Sequence, residues 1–304
     1  APVIPEAHNE WVQTSEDLKK RSEAVTRLEA FYVVCEPRGK WANAQKGNTK
    51  AVAECQEQLD ETSLRLASKW LKTWKKNPDF PEFADGAEKA FEIYLRRALQ
   101  SEQTSESRFA YAELLFQRKK YRLASEQYAV VSTTGVKSKT VAHDAAYAAV
   151  LSLEKAVGDK WNEKDEKTFH DLATTYVTQN PKGQYRLDVE FRLGLIAYEK
   201  NRYDEAAPIF LRLGQDFATL EKGVKAQDLY LDILNIKKDY KGLREYSRGL
   251  MKVAKDDIRK MKLQKIYEEA YFLQIQKMEE EKKHIDELIA TYLTEGLDKN
   301  ALAE

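Results

Sequence analysis

The chain has 304 residues, with 50 Lys+Arg against 50 Asp+Glu and therefore no formal net charge at pH 7. Binders of nucleic acid and other polyanions draw affinity from excess positive charge, so the balance argues against that class. Only 12 Gly and 7 Pro disfavour an all-β chain with its many turns, and no apolar run approaches the roughly 18 residues of a membrane span.

The chain opens with "APVIPEAHNEW", without an initiator Met and without a basic, apolar leader. Ala at position 1 suits a cut at a small-residue signal-peptidase site, and a fragment boundary gives the same start. Apolar periodicity then predicts helices over 10–36 and 49–76. Cys35 ends the first, and Cys55 lies in the second turn of the second. If these helices fold back across "EPRGKWANAQKG", both sulfurs lie near the loop end of the hairpin. A disulfide there contributes about 3 kcal/mol and points to an exported, periplasmic compartment. Two buried free thiols are the other reading. Trp70 and Trp74 sit one turn apart near the end of this segment. They offer either an exposed aromatic platform or, more commonly, core packing between hairpins.

Further helices are predicted over 82–100, 104–118, 120–133, 137–156, 164–179, 184–200, 203–216, 219–237, 239–253, 256–278 and 281–294. Breaks fall at "NPDFPEFADG", "TTG", "VGDKWNEKD", "NPKGQ" and Lys222-Gly223. No alternating segment is long enough to require a strand, so the expected class is all-α.

A repeat emerges when Tyr111-Ala112, Tyr147-Ala148, Leu193-Gly194 and Tyr230-Leu231 are taken as equivalent, at spacings of 36, 46 and 37 residues. The long middle interval holds the polar insertion "VGDKWNEKDE". Nine residues past the pair, Tyr121, Tyr203 and Tyr240 recur, followed by Ala124, Ala206 and Leu243 and then by Tyr128, Phe210 and Ser247. This pattern resembles the tetratricopeptide repeat, a helix–turn–helix unit of about 34 residues. Leu193, Gly194, Tyr203, Ala206 and Phe210 match its signature best. Glu190 and Ala197 depart from it, standing where the family carries large aromatics. The resemblance implies a right-handed α-solenoid of hairpins over 81–304, either capped by its last amphipathic helix or truncated at its C-terminal end. The disulfide-stapled long-helix hairpin expected over 1–80 precedes it.

Stacked hairpins curve so that their first helices line a concave face. In the matched units that face falls on Phe109, Glu113, Phe116 and Gln117, then Phe191, Leu195, Tyr198 and Glu199, then Asp228, Asp232 and Asn235. Rings interleaved with polar groups suit an extended peptide or a partner helix. Simple packing against neighbouring repeats is the alternative for Phe109, Phe116 and Phe191. His8, His143, His170 and His284 lack partners at metal-binding spacing, the two cysteines lack C-x-x-C spacing, and no phosphate-binding loop or nucleophile elbow occurs. No catalytic residue, cofactor or metal is expected. The expected function is a protein-interaction scaffold or adaptor in a bacterial envelope assembly, such as outer-membrane, secretion, pilus or motility machinery. The alternative is the superhelical, non-catalytic region of a peptidoglycan-processing enzyme.

Overall fold

The computed structural model describes residues 5–45, 47–97, 102–134, 139–280 and 286–294. Among these residues the chain is all-α, as periodicity predicts, with fifteen helices and no strand. In residues 1–183 they are α1 (Pro5–Asp17), α2 (Arg21–Cys35), α3 (Lys40–Ala44), α4 (Thr49–Lys76), α5 (Pro81–Arg97), α6 (Glu102–Gln117), α7 (Tyr121–Thr133), α8 (Lys139–Val157) and α9 (Glu163–Gln179). Residues 184–304 hold α10 (Arg186–Glu199), α11 (Tyr203–Asp216), α12 (Glu221–Ile236), α13 (Tyr240–Val253), α14 (Asp257–Glu280) and α15 (Asp286–Thr294). These two stretches form separate compact units. The 80/81 position, expected as a domain boundary, is the turn of the α4/α5 hairpin. Residues 98–100, 137–138, 281–285 and the terminal "EGLDKNALAE", which the sequence reading includes, lie outside the described residues.

Four hairpins share one turn, residue for residue. Lys19, Lys119, Asn201 and Lys238 each adopt the left-handed conformation, with φ of 53–59°. In each, the next residue's N–H reaches back five places and the left-handed residue's N–H three places, at 2.8–3.0 Å. This is the Schellman arrangement, which satisfies carbonyls that a helix end otherwise leaves unpaired. A left-handed Lys or Asn costs about 1 kcal/mol, which those two bonds offset. The following helix starts at the second residue past the turn, at Arg21, Tyr121, Tyr203 and Tyr240.

Burial follows the same register. Val12, Ala112, Gly194 and Leu231 are buried seven places before the left-handed residue. Ala24, Ala124, Ala206 and Leu243 are buried five places after it, and Leu28, Tyr128, Phe210 and Ser247 nine places after it. The segment 10–36 is therefore two helices, α1 and α2, with Lys19 turning the chain between them. A run of good helix formers, Leu18-Lys19-Lys20-Arg21, hides the turn from a periodicity argument.

The α8/α9 hairpin departs from this register. Gly158, at φ +59°, ends α8, and Asn162 caps α9 by accepting from the Asp165 N–H. Within the inserted loop, Trp161 is buried edge-on against Phe169, with ring centroids 5.1 Å apart. The fully buried alanines of α8 are Ala145 and Ala149, while Ala148, at the aligned position, is half-buried.

Small residues set the close approaches. A Cβ on Gly194 would stand 2.8 Å from the Phe210 ring, which is why the α10/α11 crossing uses glycine. At Gly223 an added Cβ would meet the Phe217 carbonyl oxygen at 1.9 Å. Gly223, which reads as a break in the sequence, lies inside the first turn of α12 and admits the end of α11.

In residues 1–183 a disulfide joins Cys35, at the end of α2, to Cys55 in α4, with Cα atoms 5.5 Å apart. Trp70 is buried, and its indole N–H donates to Glu16 at 3.0 Å. Glu16 also pairs with Lys69 at 2.7 Å. Trp74 is half-buried against the same core, so Trp70 is core and no paired exposed platform forms.

Candidate functional site

Within residues 184–304, the first helices α10, α12 and α14 are tied in sequence by side chains. The Lys222 ammonium of α12 binds Asp188 of α10, and the Tyr198 hydroxyl of α10 donates to Asp232 of α12. Further on, the Arg259 guanidinium of α14 holds Asp228 of α12 and reaches Gln227 Oε1 at 3.3 Å. Arg259 is set by its own helix start, because the Asp256 carboxylate accepts from the N–H groups of Ile258 and Arg259 at 3.3 and 2.9 Å. These links are largely exposed and contribute little stability each. Their effect is registration of neighbouring helices.

Of the residues expected to line a groove, Asp228, Asp232 and Asn235 share a cleft of about 400 Å³ between α12, α13 and α14. Its floor is apolar, from Leu231, Leu243, Ile266 and Leu273, and its rim adds Arg259, Lys262 and Glu269. Such a cleft can accept apolar side chains while carboxylates, an amide and an ammonium bond to a backbone or to polar side chains. Phe191, Leu195 and Tyr198 on α10 are half-buried. Phe191 leans on Phe210 at 5.7 Å, and Tyr198 stands edge-on to Tyr203 at 5.7 Å. Glu199 is exposed. The bond to Asp232, followed by burial, pushes the Tyr198 phenol up to about 12, so it remains a donor at physiological pH.

In residues 1–183 the corresponding side chains serve their own hairpin. Phe109 meets Tyr128 edge-on at 5.5 Å, and Phe116 meets Tyr121 at 5.2 Å. Glu113 accepts from the Tyr128 hydroxyl at 3.2 Å, whose phenol is raised by burial and by that carboxylate. Gln117 is exposed. Tyr111 is buried and donates to Glu92 at 3.4 Å.

The sequence reading missed Arg259, Lys262, Ile266 and Leu273. The repeat register, carried one unit (two helices) past Tyr230, would have reached α14 and found them. The sequence reading also did not connect the polar residues that stand four places before each buried first-helix residue. His8, Glu190 and Gln227 are buried there, and Arg108 is half-buried. Glu190 is held by Arg186 at 3.4 Å and Arg212 at 3.1 Å, Gln227 donates to the Gly214 carbonyl at 2.9 Å, and Arg108 donates to Gln127 at 2.5 Å. His8 packs between Trp11 and Phe31, and both burial and Arg27 lower its pKa.

Among the described residues no three His, Cys, Asp or Glu side chains group as a metal set, and no helix is long and apolar enough to cross a membrane. His143 contacts Asp144 and the Tyr176 hydroxyl, His170 is exposed beside Asp171, and His284 lies outside the described residues. No protein-family model matches the chain, and no curated protein matches it significantly.

Proposed function

We propose that the chain is a protein-interaction scaffold built of tetratricopeptide-like hairpins arranged as an α-solenoid, acting as an adaptor in a bacterial envelope assembly. The observation that carries this reading is the repeated hairpin, identical in turn and burial register at Lys19, Lys119, Asn201 and Lys238. Where such hairpins follow one another, as α10/α11 and α12/α13 do, their first helices stand side by side, and such faces bind extended segments. The cleft holding Asp228, Asp232 and Asn235 is the receiving site, with Tyr198 holding Asp232 in place. It takes a peptide or a single helix, with apolar side chains on Leu231 and Ile266 and polar groups on the rim. The Cys35–Cys55 disulfide supports an oxidising compartment, since such bonds rarely persist in the cytosol. A role in outer-membrane, secretion, pilus or motility machinery follows from fold and compartment by analogy.

The test is site-specific cross-linking in the envelope of the source cell. A photo-cross-linker at Asn235, which is exposed on the cleft rim, should trap one partner reproducibly. An Asp232→Arg change should abolish that adduct without altering helicity. A cross-linker that traps no defined protein, or an adduct that Asp232→Arg leaves intact, would remove the cleft from the proposal.

A further inference from the structure

Residues 1–183 contain a second groove, independent of the α12–α14 cleft, along α4. One part, of about 560 Å³, lies between α4 and α6 over Phe91 of α5. A contiguous part of about 430 Å³ shares Leu64 and Gln103 with it and runs towards the start of α4. Of the α4 positions involved, 57, 61, 64, 68, 71, 72 and 75 fall at helical spacing along one face, with 53, 56, 60 and 76 beside them. On the facing wall, α6 presents 103, 106, 107 and 110 in the same way.

Charge is graded along this face. Towards the end of α4 stand Lys72, Lys75 and Lys76, all exposed, opposed by the single carboxylate of Glu106. Towards its start stand Glu57 and Glu61, also exposed, while Asp60 between them is held by Arg97 at 3.2 Å. Apolar surface from Leu64, Leu71 and Ala110 lies between the two ends. Lysines at a helix C-terminus suit the helix dipole. That preference does not account for the apolar groove they border, nor for the carboxylates at its other end.

We propose that this groove binds an amphipathic helix of a partner protein, antiparallel to α4. Acidic residues in the first half of the bound helix would face Lys72, Lys75 and Lys76, and basic residues in its second half would face Glu57 and Glu61. Its own dipole favours that distribution, with carboxylates near the N-terminus and ammonium groups near the C-terminus. The span from Glu57 to Lys75 is about 27 Å, so a helix of roughly 20 residues fills it.

The test uses two labelled helical peptides of roughly 20 residues with the same apolar face and the same composition. One is acidic in its first half and basic in its second, and the other has the halves exchanged. Fluorescence anisotropy at low salt should show the first binding at least about tenfold more tightly. The variant Lys72→Glu, Lys75→Glu, Lys76→Glu, with unchanged circular dichroism, should lose that preference, and Ala110→Trp, which fills the groove, should weaken the first peptide by a similar factor. Equal affinity for both peptides, no binding of either, or a preference that survives the triple change would overturn the proposal. So would binding to phosphatidylglycerol vesicles in place of the peptides, which would assign the lysines to an anionic surface.

Discussion

The first helices α10 and α12 pack directly on one another, clasped by Tyr198–Asp232 and Lys222–Asp188. The first helices α4 and α6 instead face each other across a groove of about 560 Å³. The turn of the α6/α7 hairpin is the same as that of α10/α11 and α12/α13. The α4/α5 hairpin turns at Asn77–Phe80 without a left-handed residue and does not share it. The two joints therefore differ both in a preceding turn and in the side chains between the first helices. A phenol–carboxylate pair bridges α10 and α12, whereas lysines of α4 stand across from the Glu106 carboxylate of α6.

The two regions also differ in what holds them, and that difference can be broken selectively. The largest effect is expected from Gly223→Ala, because the new Cβ meets backbone at Phe217. The α11–α12 joint must shift at about 3 kcal/mol, read as a lower urea midpoint. Gly249→Ala, where a Cβ meets nothing within 4 Å, should instead gain up to about 1 kcal/mol. Next comes the pair Cys35→Ala and Cys55→Ala, which should lose about 2–3 kcal/mol. Hydrogen exchange should then accelerate in α2 and α4 and stay unchanged in α11–α13, the reverse of the Gly223→Ala pattern.

Smaller effects sharpen the contrast between the closed and open joints. Tyr198→Phe removes the clasp to Asp232 and should cost about 1 kcal/mol or less, since the pair is exposed. In ultraviolet titration one tyrosine ionising at about 12 should move down towards 10 in Asp232→Asn, because the bond to Asp232 is the largest cause of its elevation. The smallest effect is a pH dependence in residues 1–183. Burial and Arg27 hold the His8 pKa below the ordinary histidine value of about 6.5. The unfolded chain therefore takes up the proton first as pH falls. Stability from His8 is complete above 6.5 and is lost as pH drops through the lowered folded value, and His8→Phe should flatten the urea midpoint across that window.

Much of the fold is legible in the sequence where packing demands a residue type. Gly194, Ala206 and Phe210 announce a helix crossing because their volumes must sum to one close approach, and the structure puts Gly194 against the Phe210 ring. The α1/α2 turn is invisible to periodicity, because its left-handed residue is Lys19 and neither Gly nor Pro punctuates it. The signal was present by comparison alone: "LKKRSEA" at 18–24 parallels "RKKYRLA" at 118–124. Candidate site residues were legible on the α10 and α12 faces, since one period places them. The α14 side of that cleft lies one unit beyond the last matched pair, and the α4–α6 groove is lined by α4, which the repeat register does not reach. Lys72, Lys75 and Lys76 taken alone are an ordinary helix end.

The disulfide has one more consequence. The stretch between Cys35 and Cys55 is a closed ring of chain, and it exposes Arg38 and Lys40 to a protease. A cut there severs the sequence without severing the molecule, since both products stay linked through sulfur. The nicked protein should migrate as one species until thiol is added and then part into a short N-terminal piece and a long remainder. The continuity of the chain in this region thus becomes a property of the surrounding redox potential rather than of the peptide bond.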